Sequence, residues 1–300
     1  MGCTKADAAR GLGTLAFAGL GSRAWHGRLV ARIGRTNPVR QQQKDKTMKI
    51  VVIGGTGLIG SKVVRKLAEL GHEALAAAPN TGVNTLTGEG LAEALKGAEV
   101  VVDMANSPSF EDQAVMDFFQ TAGKNLTAAE IEAGVRLHIA LSVVGTERLQ
   151  DSGYFRAKLA QETLIKASPI PYTLLHATQF MEFLRGIAHS ATEGDTVRLS
   201  HAFIQPMAAE DVAAAVVDAV LAPPANGIVE IGGPEKFHID ELIARVLEFD
   251  RDPRRVVVDP DAPYFGVKLD AEALLPGKDA KLGSTRFDWW LANVPPPPSK

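Results

Sequence analysis

From Met48 onward, short runs of β-branched and apolar residues alternate with segments whose apolar positions recur every three or four residues. Runs of the first kind suit strands buried on both faces and the second suit helices that bury one stripe, so the alternation predicts a parallel sheet wrapped by helices. Strands are expected at 49–53 (Lys-Ile-Val-Val-Ile), 75–78, 84–86, 99–104 (Glu-Val-Val-Val-Asp-Met), 137–141, 172–176 and 228–231. Ile59, Val63, Leu67 and Leu70 form one helical stripe, and Gly71 stands just after it, where glycine favours helix termination. Further helices are expected at 111–121, 128–133, 154–166 and 209–221, with Thr127 and Glu130 at capping-box spacing. Six βα-type units in about 130 residues imply an α/β doubly wound parallel sheet. After His176 the pattern loosens, which predicts a small C-terminal substrate lobe formed mainly by about 179–206 and 226–291. The proline run at 295–298 is expected to be extended.

Between the first expected strand and helix stands Gly54-Gly55-Thr56-Gly57-Leu58-Ile59-Gly60. A merely tight turn needs one glycine. Three at this spacing let the backbone turn and approach a pyrophosphate, while the helix end offers free N–H groups and its positive dipole end. The pattern predicts a Rossmann fold holding NAD(P) through Gly54, Thr56, Gly57, Leu58, Ile59 and Gly60. An acid about 20 residues beyond the first glycine is the usual ribose reader, but residues 76–82 read Ala-Ala-Ala-Pro-Asn-Thr-Gly. With no carboxylate to repel a 2′-phosphate and no Arg to grasp one, Asn80 and Thr81 are the candidates, and the balance leans to NADP over NAD.

Ser142 stands twelve residues before Tyr154, and Tyr154 and Lys158 share a helix face at i and i+4. An ammonium near the phenol would favour phenolate and lower the tyrosine pKa, and a strand-end serine would hold a substrate oxygen. Alone, a Tyr-x-x-x-Lys pattern is usually a solvated helix face; behind a cofactor turn it points to catalysis.

The 300-residue chain carries a net charge of −3, but nine Lys/Arg against Asp7 and Asp45 crowd residues 1–47, leaving 23 basic and 33 acidic residues in the body. An acidic body has no electrostatic reason to seek nucleic acid or an anionic membrane. The leader reads as a transit peptide, a short secretory signal or a disordered extension upstream of a start at Met48, and the last is favoured. Cys3 is the only cysteine, so no disulfide framework is expected, and a reducing compartment, the cytoplasm, is. The seven histidines show no metal-ligand spacing, and no metal is expected. His138 and His176 interrupt apolar strands as structural histidines, while Trp289 and Trp290 are expected to pack a C-terminal helix.

The segments GGTGLIG at 54–60, LSVVG at 141–145, GYFRAKLAQE at 153–162 and YTLLHATQFMEF at 172–183, with Glu210-Asp211-Val212-Ala213, resemble the short-chain dehydrogenase/reductase superfamily and, within it, its atypical NmrA-like NAD(P)-binding members. The resemblance covers about 48–291 and implies a nicotinamide-dependent reductase. It makes Tyr154 the acid/base, has Lys158 bind the nicotinamide ribose and lower the tyrosine pKa, gives Ser142 the task of orienting substrate, and lines the cofactor ribose with Ala105, Asn106 and Ser107. His176-Ala177 departs from the Arg or Pro often found there in relatives. Gln179, Phe180, Met181 and Phe183 are expected on the substrate wall, suiting a small carbonyl or quinone-like compound better than a charged sugar nucleotide. Two other outcomes stay open: a redox-inactive NAD(P)-sensing regulator, and an epimerase or isomerase with retained NAD. Oligomeric state is left unassigned.

Overall fold

The computed structural model describes residues 47–294. The leader apart from Thr47, Cys3 and the proline run at 295–298 lie outside the described residues. Seven strands, β1 (Lys49–Ile53), β2 (Glu73–Ala77), β3 (Val100–Asp103), β4 (Leu137–Val143), β5 (Tyr172–Ala177), β6 (Gly227–Gly232) and β7 (Lys281–Leu282), form a sheet in the order β7-β6-β5-β4-β3-β1-β2. Every pairing in it is parallel. The chain leaves β1 toward β2 on one side and returns to β3 on the other, which opens a crevice at the carboxyl ends of β1 and β3.

Alternation along β1 shows why the sheet is covered twice. Ile50 and Val52 pack with α1 (Gly60–Glu69) and α6 (Ala209–Leu221), whereas Val51 and Ile53 face the layer of α2 (Leu91–Leu95) and α3 (Asp112–Ala133). The long α4 (Gly153–Ala167) packs beside α3 on that second face. A separate core joins α5 (Leu184–Ser190), α7 (Ile239–Asp250) and α8 (Phe287–Asn293) to short strands at Thr196–Leu199 and Phe203–Ile204. The β6 strand, inside the span expected for the lobe, belongs instead to the main sheet. Among the described residues, no helix is long and apolar enough to cross a membrane.

Three local expectations are corrected. Residues 84–86 form a turn, not a strand: the Asn84 side chain accepts from the Leu86 amide, and Gly82, Gly88 and Gly90 all take positive φ. Residues 112–133 form one helix rather than two, because Gly123 does not break it: a Cβ there would stand 3.1 Å from Leu164 of α4, so the small residue serves close helix packing. Thr127 and Glu130 are therefore mid-helix, and Glu130 turns inward to pair with His138 Nδ1 at 2.8 Å. Lastly, Leu70 is 52 % exposed although Ile59, Val63 and Leu67 are buried. The helix has already ended in a Schellman turn, with Gly71 at φ +85°, the Gly71 amide donating to Ala68 and the His72 amide to Leu67.

Candidate active site

The glycine turn occupies the crevice end of β1. Its four glycines do two different things. A Cβ on Gly54 would meet the Met104 carbonyl at 2.9 Å, one on Gly55 would meet Ala76 Cα at 2.7 Å, and one on Gly60 would meet the Gly54 carbonyl at 2.2 Å. Gly60 lets the turn fold back on the strand end, while Gly54 and Gly55 let it pass close to the backbone after β3 and that of β2. Gly57 is exposed and its Cβ would meet only the Gly54 carbonyl, at 3.2 Å, so its bareness serves the space outside the turn. The amides of Thr56, Leu58 and Ile59 have no acceptor among the described residues, which leaves a set of donors at the start of α1. An anionic pyrophosphate fits a bare glycine beside unsatisfied N–H groups.

Two loops flank the turn. The carboxyl end of β3 brings Met104 and Ala105 against Gly54, followed by exposed Asn106 and buried Ser107, whose hydroxyl accepts from the Ser109 amide. Beyond β2, exposed Asn80 accepts a hydrogen bond from the Thr56 hydroxyl at 3.1 Å and so stands at the rim of the turn. Thr81 does not: its hydroxyl accepts from the Ala78 amide and donates back to the Ala76 and Ala78 carbonyls. It closes the 78–82 turn, so the hydroxyl expected to read a ribose is engaged within its own loop.

Helix α4 carries Tyr154, Lys158, Gln161 and Glu162, and the last three are buried against the sheet. Lys158 Nζ donates to the Leu141 carbonyl at 2.9 Å and to Gln161, which itself donates to Asp103 at 2.7 Å. The ammonium also lies 4.5 Å from the centroid of the Phe119 ring. Burial brings Lys158 down to about 8 despite the opposing pull of Asp103 and Glu162.

Ser142 is placed differently from its expected role. Its side chain points into the layer between β4 and α4, where the hydroxyl donates to Glu162 Oε1 at 2.6 Å. On a strand, neighbouring residues face opposite ways, and it is Val143 that packs against the third core beside Tyr154. Glu162 also meets His176 Nε2 at 2.8 Å, across the β4–β5 register pair of Ser142 and His176. That approach is close but poorly aligned for a hydrogen bond, so we read it as an electrostatic contact. The His176 departure thus has a partner in the fold. His138 is held similarly through one nitrogen, while its Nε2 has no hydrogen-bond partner among the described residues.

Burial pulls the Glu162 carboxyl up, but His176, Ser142 and Lys166 together outweigh it and hold the group down at about 2. A depressed carboxylate contributes stability above its ordinary value of 4.5, and that contribution drains as pH falls toward about 2. Glu162→Ala, which strands His176 and Ser142, is expected to destabilise the protein by about 3–5 kcal/mol. Urea unfolding at neutral pH and near pH 3 checks this: the difference between wild type and variant should shrink in acid.

Tyr154, in the first turn of α4, meets Phe110, Phe119 and Phe155 at ring-centroid distances of 5.6, 6.3 and 5.8 Å. Its hydroxyl has no hydrogen-bond partner among the described residues. Burial pushes the phenol up to about 12, opposite to the expected lowering by Lys158. Lys158 instead directs its ammonium to Leu141 and Gln161 and over the Phe119 ring.

The expected substrate wall divides. Phe180 stacks on exposed Phe183 at 5.4 Å, and Gln179 is buried with an Oε1 that has no hydrogen-bond partner among the described residues. Met181 has no exposed surface and packs in the third core, so it is not a wall residue. Glu182, which the sequence reading passed over, accepts from the Ala209 amide at the start of α6 and from Trp290 Nε1 at 3.1 Å. Trp290 is buried as part of α8, and Trp289 is exposed. The Glu210-Asp211 pair is structural: Glu210 meets Lys62, Arg65 and Lys66 of α1, and Asp211 accepts from the Ser284 and Thr285 amides. Away from the turn, the fold gathers His201, His238 and Asp240, residues whose sequence spacing hid their proximity. The two imidazoles stack at 3.6 Å and His201 Nδ1 lies 2.9 Å from Asp240.

A parallel sheet of this order, with free amides at the start of its first helix, is a Rossmann-type fold. The profile of the NmrA-like family matches residues 46–248, and the chain belongs to that family. It is 23% identical over 153 residues to the photosystem II assembly factor Ycf39 of Synechocystis sp., a match covering 46% of this chain and 47% of that protein. The chain thus spans about half the length of the assembly factors it matches. To the (4-alkanoyl-5-oxo-2,5-dihydrofuran-3-yl)methyl phosphate reductase of Streptomyces griseus it is 27% identical over 216 residues, 66% of this chain and 72% of that one. Among solved structures, MoeE5 in complex with UDP-glucuronic acid and NAD superposes with a TM-score of 0.62 at 18% identity, covering 81% and 96% of the two chains. DesIV, a dTDP-glucose 4,6-dehydratase of Streptomyces venezuelae with NAD and TYD bound, gives 0.63 at 15%, covering 82% and 98%. At such identities the likeness concerns the fold.

Proposed function

We propose that the chain is an NAD(P)H-dependent reductase of a small carbonyl or quinone-like substrate, with Tyr154 as the proton donor. The carrying observation is a phenol with no hydrogen-bond partner among the described residues, walled by aromatic rings at the sheet's carboxyl edge and held protonated by burial. A group so poised gives a proton to a developing oxyanion, the direction a reduction needs. Gly54, Thr56, Gly57, Leu58, Ile59 and Gly60 would hold the dinucleotide's pyrophosphate, Asn80 one ribose edge, and Ala105, Asn106 and Ser107 the adjoining loop. Bound there, a nicotinamide supplies the hydride. As the substrate carbon accepts it, the carbonyl π pair moves to oxygen, Tyr154 passes its proton to that oxygen, and solvent reprotonates the phenolate. Lys158 fixes α4 to the end of β4 through Leu141, and with Gln161 as its second acceptor its third N–H would be the one offered to a ribose. The likeness to a named reductase supports the reductive direction. Stopped-flow oxidation of NADPH against a panel of quinones, aldehydes and ketones tests it.

Because residues 76–82 hold no carboxylate, NADPH is expected to bind at least as tightly as NADH. Fluorescence titration with both dinucleotides checks this, and a tenfold preference for NADH overturns the lean to NADP.

One observation favours a second reading, a redox-inactive sensor: Ser142 and Lys158 are both tied into the interior. Such a protein would bind a partner differently with and without dinucleotide and turn over none of the panel. An epimerase or isomerase would copurify with NAD.

A further inference from the structure

With Ser142 facing away, a substrate oxygen at Tyr154 lacks its expected second donor. The structure offers another. Tyr264 packs, like Tyr154, against the third core, and its loop meets the segment after β3 through the contact of Phe265 with Phe110. The loop turns through a tight two-residue reversal: the Tyr264 amide donates to the Val267 carbonyl at 2.7 Å and the Val267 amide returns to the Tyr264 carbonyl at 3.1 Å. Both central residues have positive φ, Phe265 at +47° and Gly266 at +86°. Asn or Gly suits the first of those positions, and a Phe there is strained. Its ring is nevertheless 46 % exposed, so burial does not repay the strain. What the turn achieves is placement: Phe265 lies 4.8 Å from Tyr264 and 6.1 Å from Phe110, which is 59 % exposed and 5.6 Å from Tyr154.

Four rings from three separate parts of the chain thus run in sequence, Tyr154, Phe110, Phe265, Tyr264. The two phenylalanines are exposed at the mouth and the two phenols are part-buried. Exposed aromatic rings of this kind suit a planar ligand that stacks on their faces.

We infer that Tyr264 is the second hydrogen-bond donor to the substrate oxygen, taking the place expected of Ser142, and that Phe110 and Phe265 clasp the planar body of the substrate. Burial and the neighbouring Tyr154 both push the Tyr264 phenol up, so it keeps its proton and donates without transferring it. The substrate class that follows is a flat conjugated carbonyl compound. The hydride chemistry rests on the proposed reductase, but the donor pair itself does not need turnover to be seen.

The test uses p-nitrophenol as an oxyanion probe, titrated into the full-length protein with and without NADP and followed by the visible absorbance of its anion. Two phenolic donors stabilise the bound anion, so p-nitrophenol should ionise at lower pH on the protein than in water. Tyr264→Phe should take back about one pH unit of that shift, roughly tenfold, and lower kcat/KM toward a quinone by about 10²-fold with dinucleotide affinity and Tm unchanged. A wild-type protein that ionises the probe no more readily than water, or a Tyr264→Phe variant matching wild type in the shift, overturns the inference. If the variant loses the shift while no compound of the panel is reduced, the donor pair stands and the reductase reading falls. Phe265→Gly removes the strained ring and should raise Tm while weakening p-nitrophenol binding at least about threefold; undiminished binding overturns the clasp.

Discussion

Tyr154→Phe is expected to lower kcat by about 10² to 10⁴ while leaving NADPH affinity and fold intact. The substitution keeps the ring that packs against Phe110, Phe119 and Phe155 and removes only a hydroxyl with no hydrogen-bond partner among the described residues, so packing loss cannot imitate the effect. The pH dependence has a defined sign. A donor raised to about 12 stays protonated through neutrality, so a limb assigned to Tyr154 should appear only in strong alkali. Steady-state kinetics of both proteins from weak acid to moderate alkali measure this. Equal kcat values would remove Tyr154 from the proton path, and an alkaline loss near neutrality that vanishes in the variant would contradict a phenol raised by burial.

Gly57→Ala and Gly60→Ala are expected to fail in opposite ways. A methyl group at Gly60 would stand 2.2 Å from the Gly54 carbonyl, backbone against backbone, so β1 and α1 must separate and the cost is about 1–3 kcal/mol or more. Gly57→Ala meets its one neighbour at 3.2 Å and should unfold close to wild type. Its methyl group instead occupies the approach to the free amides of Thr56, Leu58 and Ile59, and dinucleotide affinity should fall at least tenfold, about 1.4 kcal/mol. Thermal unfolding and calorimetric titration separate the two. A Gly57→Ala protein that binds normally would mean that the turn is only a turn.

What could be read from the chain in advance follows from which signals are local. Ile50 to Ile53 alternate between two apolar layers, and Gly71 ends α1 by its own φ, so strands, helices and sheet class follow from neighbours in sequence. Where a remote partner decides, the local signal misleads. Gly123 looks like a helix break until Leu164 is seen beside it, and Thr127-Glu130 looks like a helix start until Glu130 is seen paired with His138. The site divides along the same line. The glycine turn is local and was legible, whereas the direction of Ser142 depends on one step of strand alternation and on Glu162, a residue twenty positions away. Tyr264 and Phe265 carried no motif at all; the nearest hint was Phe-Gly at 265–266, an aromatic residue where a tight turn asks for Asn or Gly.

Glu182 joins two things that are usually independent. Its carboxylate caps α6, a helix of the nucleotide-binding half whose own N-cap residue, Ala208, has no side-chain oxygen to offer, and it also anchors Trp290 in the C-terminal helix. The lobe therefore cannot swing away as a rigid flap without uncapping a helix beneath the sheet, a penalty of about 0.5–2 kcal/mol added to the lost packing.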